Sequence, residues 1–326
     1  MVVVEFNLSD VQQSWKAKGE SLGKDLLEEP AAADVVMGAA RVGLIDPRVD
    51  LLAAAAAVEA LATTSSSAAA ITLALHTGVL LALGADDRFT SLARGETVGA
   101  IALSTDEVPA ESNGRLTGRA SLLGPLTDRG LAIVGARSGD GLLACAVALD
   151  TPGTTMDPMR TAALGGFVCG HVGFTDVECV PLGATLPFMT RVRILLAAAG
   201  LGMGRRALSE ALGAAHGHRG RGAGGEQTVQ GLLADAATEL DAATMLTWKA
   251  ACAEPLSLAE ASMAKLSATE ATQRAVARAT QVVGADSFRR GHVIERLAQD
   301  VRALELFAGR TEALREAVAL EELPRS

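Results

Sequence analysis

At 326 residues, with 49% hydrophobic and 21% charged residues, the chain holds enough apolar surface for a sizeable core and is not a disordered polymer. Its formal net charge of −9 argues against general binding to a phosphate backbone, so no nucleic-acid partner is expected. Cys145, Cys169, Cys179 and Cys252 form neither a CxxC pair nor a Cys/His metal spacing, which predicts buried reduced thiols and a cytoplasmic protein without a metal site.

Alanine and leucine dominate and tyrosine is absent, a composition that favours helices held by many small aliphatic contacts. The first segment, MVVVEFNLSD, lacks the basic start of a secretory signal. Ser9 and Gln12 have the spacing of a capping box, and Val11, Trp15, Leu22 and Leu26 fall roughly on one face of the helix that follows. Helices are predicted from Val49 to Leu61 and from Ser66 to Leu83, both apolar nearly all round, as in helices packed inside a bundle. The apolar stretch Ala68 to Leu83 is short for a membrane span, and none is expected.

The texture changes after Glu96. The runs 98–104, 131–137, 142–150 and 171–180 are rich in valine and isoleucine or alternate in polarity, with Gly, Pro, Asp and Asn between them. They predict an antiparallel β-domain. Helical spacing then returns over Arg191 to Ala215, Gln227 to Ala251, Leu258 to Val283 and Val293 to Val318. In the second of these Val229, Leu232, Leu233, Ala236, Leu240 and Ala243 are spaced for one buried face. In the fourth Leu297, Val301, Leu304 and Ala308 are. The expected fold class is α+β: an N-terminal helical domain (1–96), a middle antiparallel β-domain (97–186) and a C-terminal four-helix bundle (187–326).

Several segments carry a family resemblance. LARGETVGAIALSTDE (92–107) looks like a junction between N-terminal helices and a β-domain. RVRILLAAAGLGMGRRALSEAL (191–212), EQTVQGLLADAATELDAA (226–243), SMAKLSATEATQRAVARATQVVGADSF (262–288) and IERLAQDVRALELFAGRTEALR (294–315) follow in order. Together they resemble the acyl-CoA dehydrogenase family from about residue 35 onward. The N-terminal part is shorter than in the family, because RVGLIDPRVDLLAAAAAVEALA (41–62) runs almost directly into the next helix.

The resemblance implies acyl-CoA or a related thioester as substrate and FAD as cofactor, bound here, shared with a partner subunit, or lost. The family removes an α-proton with a carboxylate while a β-hydride goes to the flavin. In most relatives the base begins a Glu-Gly-Thr-x-Glu segment. Here that segment reads Ala308-Gly309-Arg310-Thr311-Glu312, and the alternative position used by a minority is Val192, just before Arg193. Neither side chain accepts a proton. Glu305, one helical turn before Ala308, is a conceivable substitute, but a solvated or paired helix charge is the stronger reading.

Relatives set a Trp-Ile-Thr-like segment against the flavin ring, where this chain has Leu122-Leu123-Gly124-Pro125. Ser104 and Thr105 lie where flavin contacts are expected, and equally suit a turn at a strand end. The far end of FAD is held in relatives across a subunit interface by an Arg-x-x-Phe-Gly loop and a Gln-x-x-Gly turn. His216 takes the arginine position without gaps and Arg219 takes it with a small gap, in a glycine-rich loop. Gln227, Gln281 and Gly284 match the family better. The implied assembly is a homodimer or a hetero-oligomer in which a second dehydrogenase-like subunit supplies the glutamate. A flavin-free scaffold and a repurposed non-redox thioester enzyme are the alternatives.

Overall fold

A computed structural model of the chain describes residues 7–26, 28–102, 107–139, 141–218 and 227–323. Five helices come first: α1 (Asp10–Asp25), α2 (Ala32–Arg41), α3 (Leu51–Thr64), α4 (Ser67–Leu83) and the single turn α5 (Thr90–Ala93). Eight strands follow: β1 (Val98–Ala102), β2 (Ala110–Ser112), β3 (Arg115–Leu123), β4 (Gly130–Ser138), β5 (Gly141–Ala148), β6 (Thr154–Met159), β7 (Cys169–Glu178) and β8 (Val180–Gly183). Five more helices close the chain: α6 (Leu186–His218), α7 (Gln227–Ala251), α8 (Leu258–Val283), α9 (Val293–Leu306) and α10 (Thr311–Glu322). The order of helices, sheet and helices is the one the resemblance implies.

The helix starts follow from local chemistry. Ser9 and Gln12 form both bonds of the capping box of α1. Asp50 caps α3 through the Ala53 N–H at 2.8 Å, and Ser66 caps α4 through the Ala69 N–H at 3.2 Å. Trp15 and Leu22 are buried as their spacing predicts, and Leu26 packs against the core. Val11 is instead 59% exposed.

Helices α3 and α4 are buried on every side, and α3 lies between α1 and α6. Glycine makes that close approach feasible. A Cβ on Gly19 would stand 2.2 Å from the Ala57 carbonyl oxygen, and one on Gly202 would stand 2.3 Å from that of Glu59. The long helix α6 has the length and apolarity of a membrane span over Leu186–His216, yet 78% of its apolar window is buried within the protein. It serves as the central core helix.

The sheet has the order β6-β7-β3-β2-β4-β5-β8, with β1 paired to β4 outside this path. It is mixed, which corrects the expectation of an antiparallel sheet: β1 runs parallel to β4, and so does β2. The β2–β3 hairpin intervenes between β1 and β4, and the chain returns in the original direction. One sheet face builds its own core from Ala100, Leu116, Ala132, Val134 and Val172. On the other, Ile101, Ile133, Ala144, Ala146 and Cys169 join the core of the helices.

The fourth C-terminal helix expected from Val293 to Val318 is broken. Helix α9 ends at Leu306 and α10 starts at Thr311, so α6 to α10 make five helices rather than four. Ala308 (φ 54°) and Gly309 (φ 116°) are left-handed at the break. One glycine in an apolar helical period costs only about 1 kcal/mol, so the period runs on through it in the sequence. Cys145, Cys169 and Cys179 are buried free thiols, whereas Cys252 is exposed, against expectation, since it sits just past the end of α7.

Candidate functional site

The α9–α10 break carries the position where the resemblance seeks a catalytic carboxylate. Breaking a helix leaves its last carbonyls without partners. Here two buried cations supply them. The Arg193 Nε donates to the Ala308 carbonyl at 2.9 Å, and Lys265 Nζ donates to the carbonyls of Gly309 at 3.1 Å and Glu305 at 3.4 Å. Arg193 is itself fixed by a 2.7 Å bond from Nη1 to Ser262 Oγ. Burial pulls the Lys265 ammonium down to about 7, with Arg193 repelling it and Glu305 opposing the shift. Burial likewise lowers Arg193 to about 10.

No proton acceptor stands on this loop. The Ala308 side chain is a methyl, and Val192 is fully buried against Gly78 of α4, where a Cβ would meet Val192 Cγ2 at 2.6 Å. Glu305 is committed elsewhere. It accepts from Thr311 Oγ1 at 2.8 Å and from Gln273 Nε2 at 3.0 Å, and these bonds hold its carboxyl below the usual range. A carboxylate so held is a poor base. It joins the end of α9 to the start of α10 instead. Glu312 is exposed in the first turn of α10, where a negative charge suits the helix dipole.

The segment expected beside a flavin ring ends β3. Gly124 exchanges backbone hydrogen bonds with Ile101 of β1, at 3.0 and 3.4 Å. The direction a side chain would take at position 124 runs into Phe167, whose Cζ and Cε1 lie 2.8 and 2.9 Å from a Cβ built there. Phe167 is 4% exposed and meets the ring of Phe307, next to Ala308, edge to face at 5.5 Å. One aromatic side chain thus bridges the sheet end and the α9–α10 break. Leu122, the neighbour on β3, is exposed and left-handed (φ 52°).

FAD, which the resemblance implies, therefore fails at its ring end in this crevice. Position 124 offers no hydroxyl, and Phe167 fills the space beside it. The positions for the other end of the cofactor are open. Gln227 begins α7 and Gln281 lies in the last turn of α8, both exposed, and nothing approaches within 4 Å of a Cβ built on Gly284 (φ 73°). Ser104, Thr105 and Arg219 lie outside the described residues. His216 bonds to the Leu212 carbonyl of its own helix at 2.7 Å.

Clefts of about 650, 730 and 500 Å³ open on the helical side, and none of these has Ala308, Val192 or Gly124 in its lining. The first runs behind the loop that carries Phe167, along Thr161 to Gly165. Among the described residues no cluster of three metal-ligating side chains occurs.

Sequence reasoning missed Phe167, Lys265 and Asp300. A lysine amid Ala261, Ala264 and Ala268 on α8 signals a buried cation, and Gly165-Gly166-Phe167 signals an aromatic delivered by a tight turn. Nothing in the sequence shows what either residue meets.

Residues 183–322 match the family described as acyl-CoA dehydrogenase, C-terminal domain. The 3-sulfinopropanoyl-CoA desulfinase of Paraburkholderia xenovorans is 29% identical over 187 residues, 52% of this chain and 48% of that protein. The probable acyl-CoA dehydrogenase YngJ of Bacillus subtilis is 29% identical over 194 residues, 54% of this chain and 51% of that protein. The matched region thus spans about half the length of these curated relatives. Among solved structures, a glutaryl-CoA dehydrogenase from Mycobacterium smegmatis in complex with FADH2 superposes with a TM-score of 0.84 at 15% identity, over 98% of this chain and 96% of that one. Fold, C-terminal domain and relatives agree: residues 183–322 carry the acyl-CoA dehydrogenase C-terminal domain, and the chain as a whole resembles acyl-CoA dehydrogenases in fold.

Proposed function

We propose that this chain is the non-catalytic subunit of a two-subunit, flavin-dependent acyl-CoA dehydrogenase. Its partner would supply the glutamate and hold the flavin ring while an acyl-CoA is oxidised to its 2,3-enoyl form. The observation that carries this reading is the α9–α10 break. Arg193 and Lys265 hold the loop of the missing base in a defined shape, yet the loop presents only the methyl of Ala308. A chain with no tie to a dehydrogenase site has no evident need of two buried cations there.

The exposed Gln227 and Gln281, with the half-buried Gly284, add support, since the resemblance gives such positions to the far end of FAD across a subunit interface. FAD would supply hydride acceptance when bound in the partner. This chain's residues would grip the cofactor's tail and cover the shared crevice. The reading places the complex in the cytoplasm, in lipid metabolism. One observation favours a second reading, a scaffold that meets no flavin at all: Phe167 stands in the place of the ring.

Co-expression with any dehydrogenase-like chain encoded beside it tests the first reading. A yellow complex is expected whose acyl-CoA oxidation vanishes when the partner's glutamate is replaced. A complex that stays colourless, or the absence of any complex, would favour the scaffold.

A further inference from the structure

We infer that the loop from Thr161 to Cys169 is an intramolecular plug, in which Phe167 replaces a flavin ring as the aromatic filling of the sheet–bundle crevice. The inference stands whether or not a partner subunit exists, because it concerns contacts within this chain.

Four sets of contacts hold the plug. The Leu126 N–H donates to the Val168 carbonyl at 2.8 Å and so zips the loop to the end of β3. The Phe167 N–H closes a turn on the Leu164 carbonyl at 2.9 Å. The Leu164 N–H donates to a carboxylate oxygen of Asp300 on α9 at 2.6 Å, a buried bond. Gly165 and Gly166 lie against Glu29 and Pro30, where a Cβ would stand 2.4 Å from the Glu29 carboxylate and 2.7 Å from the Pro30 carbonyl oxygen.

Leu164 is left-handed (φ 59°), a conformation that costs a leucine free energy and persists only where its surroundings impose it. A charge-assisted bond to a buried carboxylate is such a surrounding. To admit a planar ring beside Gly124, the loop would have to surrender these contacts together. A mobile lid has few buried contacts and solvent-exposed backbone bonds. This loop buries Leu164 and Phe167 at 4% exposure each. It is a fixed part of the core.

A plugged crevice makes the chain independent of flavin for its stability. A ligand that binds only the folded state raises the melting temperature, so a ligand that finds no site leaves it unchanged. The test uses the isolated chain with lumiflavin, a flavin ring without a tail, as probe. Wild type is expected to leave lumiflavin fluorescence unquenched and to show the same melting temperature with and without lumiflavin. Phe167→Ala opens an apolar slot next to Phe307 and is expected to bind lumiflavin at least about tenfold more tightly than wild type.

Saturable quenching of lumiflavin by wild type would overturn the plug, and so would a folded Phe167→Ala with no gain. Should that variant fail to fold, Phe167→Leu gives the same reading, and the wild-type measurement decides without either. Loss of the plug leaves the two-subunit reading open, because that reading rests on the missing glutamate. Failure to find a partner leaves the plug intact.

Discussion

Lys265 is fully buried, and among the described residues no carboxylate lies within ion-pair distance of it. Two carbonyls at the end of α9 hold its ammonium, so the charge is solvated by backbone dipoles. Burial depresses its folded value to about 7 from an ordinary 10.5. Below about pH 7 the lysine is charged in both states, and the whole cost of burying that charge is present. As pH rises from about 7 towards 10.5 the folded chain releases the proton while the unfolded chain keeps it, so stability climbs across that window. Lys265→Met should abolish the climb. Denaturant midpoints at pH 7 and pH 9 should show wild type gaining at least about 1 kcal/mol more than the variant, since a tenfold change in a protonation equilibrium is worth about 1.4 kcal/mol. Parallel behaviour of the two proteins would contradict this assignment.

Glu305 tests the alternative base. Its carboxylate is bound by Thr311 and Gln273, so Glu305→Gln should lower the melting temperature by a few degrees. That corresponds to about 0.5–2 kcal/mol for a weakened hydrogen-bonded cap. Dehydrogenation by a reconstituted complex should be unchanged. Lost turnover at unchanged stability would make Glu305 the base after all.

Among elements, the loop before β7 meets the α9–α10 break through Phe167 and Phe307. Asp300 ties the same loop to α9 and α4 by accepting from the Leu164 N–H and from Ser67, and burial raises its carboxyl above the usual range against these bonds. Asp300→Ala strands the Leu164 N–H and should cost about 1–3 kcal/mol, read as a drop in melting temperature. Protease cleavage should appear near residues 161–169, and an unchanged cleavage pattern would show that Asp300 does not anchor the loop.

Why these features are hard to read in the sequence follows from their physics. The α7 and α8 boundaries are legible because apolar spacing is a local signal. The α9–α10 break is not, because Arg193 and Lys265 stabilise it from α6 and α8, far away in sequence. Ala308 as a missing base is visible only by resemblance. The plug is invisible, since Phe167 meets Gly124 and Phe307 only after the sheet and the bundle have packed.

For the whole molecule, the same distinction separates what composition dictates from what packing decides. An alanine-rich, aromatic-poor chain builds its core by close approach of small residues, and α3 is held between α1 and α6 in this way. Gly202→Val should therefore destabilise strongly, by about 3 kcal/mol or more, because its Cβ would strike the Glu59 carbonyl at 2.3 Å. Gly213→Val, on the same helix where a Cβ meets nothing within 4 Å, should stay within about 1 kcal/mol of wild type. Equal effects of the two would contradict the packing account.

The loop at Ala308 offers no proton acceptor, and we propose that Phe167 takes the place of the flavin ring. The visible spectrum and acyl-CoA oxidation of the purified chain, assayed alone with an artificial electron acceptor, test both most directly. A colourless protein without turnover is expected. A yellow protein that oxidises acyl-CoA by itself would contradict both.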